Sequence, residues 1–315
     1  VQKGLSDEKV APLEAAWRRL ALSSVPASAR QGLAAHYEFS GHLTDTSGFY
    51  QHGKTLRGEV IYREGRVATG ANFDGETRVA LNTPAWERDV PFTLAFWMEA
   101  NVRKGAVIIQ NIDGVERRRG FEMSLDEAKL IGSERPRSHY FVRLSHLWPV
   151  NAIQIKTKKP LKLTGHFTVT YEGSGEASGL RLYRNGKLQE VEVTHDNLEN
   201  SIQTFQPLEI GSKQAGKPFL GKLDDLRVYK RVLSVKEIEQ LNVHEPIRGI
   251  FSQPLEGCTK LIQRLKAMRS EKDFDPLNNT FFQSKEGRKA RSCENREGEI
   301  RDYYLTHAAP EELRK

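Results

Sequence analysis

From Leu33 to Tyr229 the chain is built of short runs in which apolar and polar residues alternate, and this pattern limits the fold more than any other feature. Eleven such runs can be read: LAAHYEF, RVALN, FTLAFWMEA, AVIIQNI, GFEMSL, YFVRLS, AIQIKT, HFTVTYEG, GLRLYRNGKLQEVEV, QPLEIGS and LDDLRVY. Gly, Asn, Asp and Ser separate them, and no helical period intervenes. A period of two places successive side chains on opposite faces of a strand, so the region is expected to form an antiparallel all-β sandwich. In FTLAFWMEA, Phe92, Leu94, Phe96 and Met98 fall on one face and Trp97 on the other. Fully burying such side chains stabilises a fold by about 1.5–3 kcal/mol each, which places this strand at the centre of a sheet. Asn185-Gly186 in YRNGKLQ supplies the two positive-φ residues of a type I′ hairpin.

Helical texture flanks this region. DEKVAPLEAAWRRLAL follows Ser6, an N-cap, and repeats apolar residues at Val10, Leu13, Ala16, Trp17, Leu20 and Leu22. Beyond the last run, Ser234 to Glu237 (SVKE) is a capping box opening an exit helix. EGCTKLIQRLKAMRSE forms a second C-terminal helix, with Leu261, Ile262, Leu265 and Met268 on one face, and EIRDYYLTHAAPEELRK a third, interrupted at Pro310. DFDPLNNTFFQSKEGRKARS between them reads as an irregular connection. The domain plan is a helical extension over 1–30, a sandwich over 31–245 and a helical extension over 246–315. The chain starts at Val1 without an initiator Met, so it is expected to be a piece of a longer or processed protein.

Composition excludes several classes. No run of about 18 apolar residues is present, so no membrane span is expected. The net charge of +7 is spread evenly; ERRR (Glu116 to Arg119) and KTKK (Lys156 to Lys159) are local basic runs without the interleaved aromatics of a nucleic-acid platform. The two cysteines, Cys258 and Cys293, fit no metal or haem spacing; a mutual disulfide in an exported protein and two buried thiols both remain open. There is no G-x-S-x-G elbow, P-loop or H-E-x-x-H, and the nine histidines lack ligand spacing. His139, His146 and His166 lie in strand-like runs as surface or hydrogen-bonded residues.

The opening block GLAAHYEFSGHLTDTSGFYQHGKTLRGEVIYREGRVATGANFDGETRVALN, followed by PFTLAFWMEA, YRNGKL and GKLDDLRVYKRVLSVKEIEQL, resembles in order and spacing the concanavalin A-like, laminin-G-like jelly roll. The resemblance covers about Gly32 to Leu241. With its flanks, it implies a large exported multidomain protein of the planctomycete type, periplasmic or on the cell surface, with a cytochrome c-like module elsewhere. The paired carboxylates that glycosidases on this sandwich carry on one strand are not found at E-x-D-x-x-E spacing, so no catalytic residue and no enzyme activity are expected. The resemblance instead implies a lectin-like module whose partner is a polysaccharide or other glycan. Sugars stack on exposed aromatics. Trp97, on the polar side of its strand, is the leading platform, with Tyr171, Tyr183 and Trp148 behind it; Arg117 to Arg119 suit an acidic polymer. The alternative is a structural domain that packs against neighbouring domains of the same polypeptide.

Relatives of this type hold a structural calcium near the place where the first and last strands meet. The resemblance carries that role to Asp45 of LTDTSG and Asp225 of LDDLRVY, with Asp224 beside it. The competing role for Asp224 and Asp225 is to cap a turn or to pair with Arg227 or Lys222. Phe49 and Tyr50 stand where relatives have a small Gly/Asn-rich loop.

Overall fold

The computed structural model describes residues 7–20, 23, 25–102, 104–114, 116–129, 136–211, 218–252, 258–270, 275–276 and 280–310. Ser6 and Leu22, assigned above to the first helix, lie outside them. The chain divides into two compact units, Ala27–Glu245 and Val1–Pro26 together with Pro246–Lys315. The two helical extensions therefore form one unit.

In the first unit the strands are β1 (Leu33–Tyr37), β2 (Lys54–Arg57), β3 (Ile61–Glu64), β4 (Thr69–Asp74), β5 (Arg78–Leu81) and β6 (Phe92–Ala100). There follow β7 (Ala106–Gln110), β8 (Gly120–Leu125), β9 (Arg137–Ser138), β10 (Tyr140–Leu147), β11 (Asn151–Thr157) and β12 (Leu161–Lys162). The last are β13 (Thr164–Tyr171), β14 (Leu180–Arg184), β15 (Lys187–Leu188), β16 (Val191–Asp196), β17 (Leu208–Ile210) and β18 (Leu220–Tyr229). They form two eight-stranded antiparallel sheets. The first runs β15-β14-β13-β6-β18-β4-β3, with β1 also on β18, and the second runs β16-β11-β10-β8-β7-β17-β5-β2. The pair β12-β9 stands apart. All eleven alternating runs of the sequence are strands here; β2, β3 and β4, which fall in a stretch without a clear alternation, and the two-residue β9 and β12 are additional.

The inner faces of the two sheets make one core. Phe92, Leu94, Phe96 and Met98 of β6 are buried against it together with Phe121 and Met123 of β8, Val142 and Leu144 of β10, and Ile153 and Ile155 of β11. Trp86 closes one part of it, its ring 4.4 Å from Phe92 and 4.5 Å from Phe121. Asn185 and Gly186 join β14 to β15 at φ of 49° and 74°, the type I′ hairpin that the sequence implies.

The exit helix α2 (Val235–Ser252) follows α1 (Asp7–Arg18) in chain order. It opens on the capping box: the Ser234 amide donates to Glu237 at 2.9 Å and the Glu237 amide to the Ser234 hydroxyl at 3.3 Å. The guanidinium of Arg231 clamps the same carboxylate and holds its pKa down, at about 2, with Ser234 adding to the effect against the cost of burial.

The helical unit comprises α1, the end of α2, α3 (Cys258–Arg269), α4 (Thr280–Gln283) and α5 (Lys285–Tyr303), whose last turn continues as a π-turn to Ala308 before Pro310. The stretch read as irregular thus contains a helix start, with Ser284 accepting from the Gly287 amide at 3.0 Å. Trp17 packs its ring on Phe251, Tyr303 and Tyr304, at 5.7, 5.9 and 5.3 Å. Cys258 and Cys293 form a disulfide that ties α3 to α5 across 35 residues, which resolves the cysteine alternatives in favour of pairing. A cross-link over a loop of that length stabilises by about 4 kcal/mol. Cys258→Ser with Cys293→Ser is therefore expected to lower the calorimetric transition of the helical unit while leaving that of the sandwich in place; a shift of both transitions together would contradict the division.

Candidate functional site

The two aspartates of β18 sit where its outer neighbour changes. Leu220–Leu223 pair with β4, and Leu226–Tyr229 pair with β1. On the opposite edge β6 runs the full length, but the register slips: Asp224 faces Trp97 and Arg227 faces Ala95, so two residues of β18 oppose one of β6. This is a β-bulge, with Asp225 at φ 49°, a left-handed conformation that Asp tolerates better than most residues. The extra residue resets the alternation, so that Leu223, Leu226 and Val228 all reach the core while Asp224 and Arg227 stay off it. Without the bulge a period of two would send Asp225 inward.

Each carboxylate anchors a different segment. Asp224 Oδ2 accepts from the Arg66 and Val67 amides, the latter at 2.8 Å, and so holds the β3–β4 turn. Gly65 and Gly70 make that approach feasible, because a Cβ on either would come within about 3 Å of atoms of the closing strand. Asp225 Oδ1 accepts from Arg227 Nε and Nη2 at 3.0 Å each and from His36 Nε2 at 2.7 Å. Arg227 passes the charge on to Glu245 of α2 at 2.9 Å, and Glu245 accepts from the Ser28 amide and hydroxyl. Asp225 and Arg227 are 2% and 6% exposed.

Burial acts to raise the pKa of Asp225, but the Arg227 guanidinium and His36 outweigh it and hold the group well below the usual carboxylate range. Asp224 goes the other way. Burial pushes it up to about 7, only partly offset by its two amide donors, and the charge of Asp225 adds to the rise. Burial pushes His166, opposite Trp97 on β13, down to about 4.

Asp45, the third carboxylate expected to ligate calcium, is a turn anchor of its own. It accepts from the amides of His36, Ser47 and Gln51 and from the Ser47 hydroxyl, at 2.8 to 2.9 Å. Among the described residues no three of His, Cys, Asp and Glu gather into a metal-holding set. Asp224 Oδ1 and Asp225 Oδ2 are buried without a hydrogen-bond partner, and a dication beside Asp225 would also face the Arg227 guanidinium. Of the competing roles weighed from sequence, the geometry shows the turn anchor for Asp224 and the Arg227 ion pair for Asp225.

The aromatic candidates separate clearly. Tyr171 is 0% exposed, part of the inter-sheet core, and its hydroxyl donates to the Arg88 carbonyl. Tyr183 is 7% exposed beneath α2, in a cluster with Leu33, Ala95, Tyr229, Leu233, Ile238 and Leu241. Neither offers a face to a sugar, which corrects both assignments. Tyr171 falls in phase with Phe167 and Val169 on the core face, whereas Tyr183 falls opposite Leu182, on a face whose covering helix alternation does not reveal. Trp97 is half-buried, with the Arg66 guanidinium 5.4 Å over its ring and His166 at 5.2 Å, and its indole nitrogen is buried without a hydrogen-bond partner. Two side chains thus contact its ring, as Arg143 and His195 contact that of Trp148.

Trp148 is placed differently. On the outer face of the second sheet, in-register rows cross β8, β10 and β11: Ser124–Phe141–Lys156 and Glu122–Arg143–Gln154. All of these residues but Lys156, together with Trp148 in the following turn, line a cleft of about 280 Å³ that also includes Arg118 and Asp126. Arg143, 3% exposed, bonds Glu122 at 2.7 Å, and Arg118 bonds the same oxygen at 3.0 Å. Burial draws Arg143 down to about 10 despite the neighbouring Glu122 charge. Trp148 lies 4.4 Å over this guanidinium, and Arg143 Nε is buried with no partner. Arg118 is thus the member of the ERRR run that enters a cleft. His139 and His146 bond the carbonyls of Thr157 and Ser201, each at 2.7 Å.

Sequence reasoning singled out neither Arg143 nor Glu122. Their signal was present as polar residues alternating with core residues on three neighbouring strands. Glu122 and Asp126 both line the cleft, where Arg143 and Arg118 hold Glu122.

A family model described as the concanavalin A-like lectin/glucanases superfamily matches residues 73–239, more than half of the chain. The chain belongs to this superfamily. No curated protein matches it in sequence. Among solved structures it is similar to the binding domain of Paraclostridial Mosquitocidal Protein 1, at 18% identity and a TM-score of 0.52, over 68% of this chain and 52% of that one. It is also similar to the receptor binding domain of botulinum neurotoxin D, at 13% identity and a TM-score of 0.50, again over 68% and 52%. The chain thus spans about half the length of each of those domains.

The raised pKa of Asp224 fixes the sign of a pH effect. Its folded value lies above its ordinary value of 3.8, so the folded state keeps the proton longer and the contribution of this group to stability falls as pH rises from about 4 to about 7. Asp224→Asn, isosteric with the protonated acid, is expected to gain on the wild type over that window, by on the order of 2–4 kcal/mol in urea denaturation. Parallel stability profiles from pH 4 to 8 would contradict this. His166 titrates in both proteins and drops out of the difference.

Proposed function

We propose that this chain is a non-catalytic, carbohydrate-binding module and that the saccharide lies in the cleft on the outer face of the second sheet. The observation that carries the reading is the buried Arg143, with an unpartnered Nε, beneath the half-buried Trp148. A buried donor without an acceptor is costly, and a ligand oxygen relieves that cost. The cleft combines aromatic surface from Phe141 and Trp148 with an amide from Gln154, a hydroxyl from Ser124 and carboxylates from Glu122 and Asp126. Apolar walls with a few placed polar groups are what fix a sugar ring.

The non-catalytic reading draws on Glu122, which is engaged by two guanidinium groups rather than poised as an acid. Two of the similar structures are described as binding domains, which agrees with the reading at the level of the fold. The disulfide supports an exported setting, since such bonds persist in oxidising compartments. Among the described residues no helix is long and apolar enough to cross a membrane. A second reading, docking on a neighbouring domain of the same polypeptide, draws on Phe49 and Tyr50, which are 62% and 82% exposed.

Trp148→Ala is expected to weaken glycan binding at least roughly tenfold, the loss of a central aromatic anchor. Trp97→Ala is expected to leave affinity unchanged while lowering thermal stability. Calorimetric titration of glycans selected on an array checks both; a blank array, or binding that depends on Trp97 instead, would contradict the proposal.

A further inference from the structure

The outer face of the first sheet has an open end of its own. One residue row beyond Trp97, β4, β18, β6 and β13 present Asn72, Lys222, Glu99 and Thr164 in register. A cleft of about 420 Å³ opens on this row, with Arg63 of β3 and Lys162 of β12 on its walls and Asn101 at the end of β6. Its size falls within the range of ordinary small-ligand sites. Three cationic side chains face one carboxylate, and the charge is not neutralised locally: Lys222 pairs with Glu99 at 3.2 Å, whereas Arg63 and Lys162 have no ion-pair partner among the described residues. The side-chain amides of Asn72 and Asn101 are likewise without a hydrogen-bond partner there.

The geometry points to a second binding site, selective for a saccharide that carries carboxylates, a uronate-containing glycan. We base this on the combination of groups. A guanidinium presents a planar fork that matches a carboxylate, and lysines beside it act as point charges. Asn72, Asn101 and Thr164 supply donors and acceptors of the kind that sugar hydroxyls require. A bare anion would use the cations and leave the amides idle, while a neutral sugar would leave Arg63 and Lys162 unmatched. Lys222 is held in place from two sides, by Glu99 and by the Glu64 carbonyl at 2.6 Å, so part of the site is set before a ligand arrives. This inference stands independently of the Trp148 cleft, which lies on the other sheet.

The test is titration of the full chain with trigalacturonate, with neutral galactotriose and with sodium acetate, followed by calorimetry or amide chemical shifts. The wild type is expected to bind trigalacturonate, with affinity falling as salt is raised. Arg63→Ala with Lys162→Ala, both exposed, should keep the fold and weaken that binding roughly tenfold or more. Trp148→Ala should leave it unaffected. The proposal is overturned if the double variant binds trigalacturonate as the wild type does, if acetate binds as well as the oligomer, or if trigalacturonate does not bind at all. Loss of galactotriose binding in Trp148→Ala alone would speak to the other cleft, so the two readings fail separately.

Discussion

The ion pair between Asp225 and Arg227, set on a bulge in the closing strand, is the constraint on which this sandwich turns. The bulge lets one strand serve β4 along its first half and β1 along its second, and it keeps an apolar residue facing the core on both sides of the change. The charges so displaced are buried and cannot stand alone. Arg227 reaches Glu245 on the exit helix, Glu245 reaches Ser28 ahead of β1, and His36 of β1 closes on Asp225. Such a network gains little over a well-packed apolar substitute, yet losing one member leaves an uncompensated charge. It fixes where β1 and α2 go rather than how strongly they are held.

That placement gives the two outer faces different roles. The beginning of α2 seals part of the first sheet over Ala95, Tyr183 and Tyr229, and the turn anchored by Asp224 brings Arg66 over Trp97. The second sheet keeps Phe141, Arg143, Gln154 and Trp148 along an accessible cleft. The cleft on the first sheet's outer face lies at its far end, where the charged residues Arg63, Lys162 and Lys222 stand. One sheet presents aromatic and amide surface, the other a cationic end.

The fold was legible because burial between two sheets writes itself into the chain as a period of two, and β6 shows this most fully. The capped exit helix was equally plain in Ser234 and Glu237. β2 was not, since all four of its residues are exposed and nothing requires them to alternate. The helix from Lys285 was hidden by its charge: its few buried positions, among them Ala290, Cys293 and Ile300, are separated by long polar intervals. Site residues were harder for a related reason. Periodicity tells which face a side chain takes but not what covers that face, so Tyr183 reads as available and is not, whereas Tyr171 shares the core face of Phe167 and Val169. The aspartate pair could be seen, but its meaning lies in a register shift against β6, which no single strand records. Trp148 sits in a turn, outside any period, and only the fold brings it to Arg143.

The central claim is that Asp225 of the closing strand is a structural charge locked by Arg227. It is tested most directly by urea denaturation of Asp225→Asn at neutral pH. Removing one partner of a buried pair is expected to cost about 3–5 kcal/mol, and combining it with Arg227→Met and Glu245→Gln, which removes the other charges of the network, should restore much of the loss. A single variant within about 0.5 kcal/mol of the wild type, the range of ordinary surface substitutions, would contradict the account.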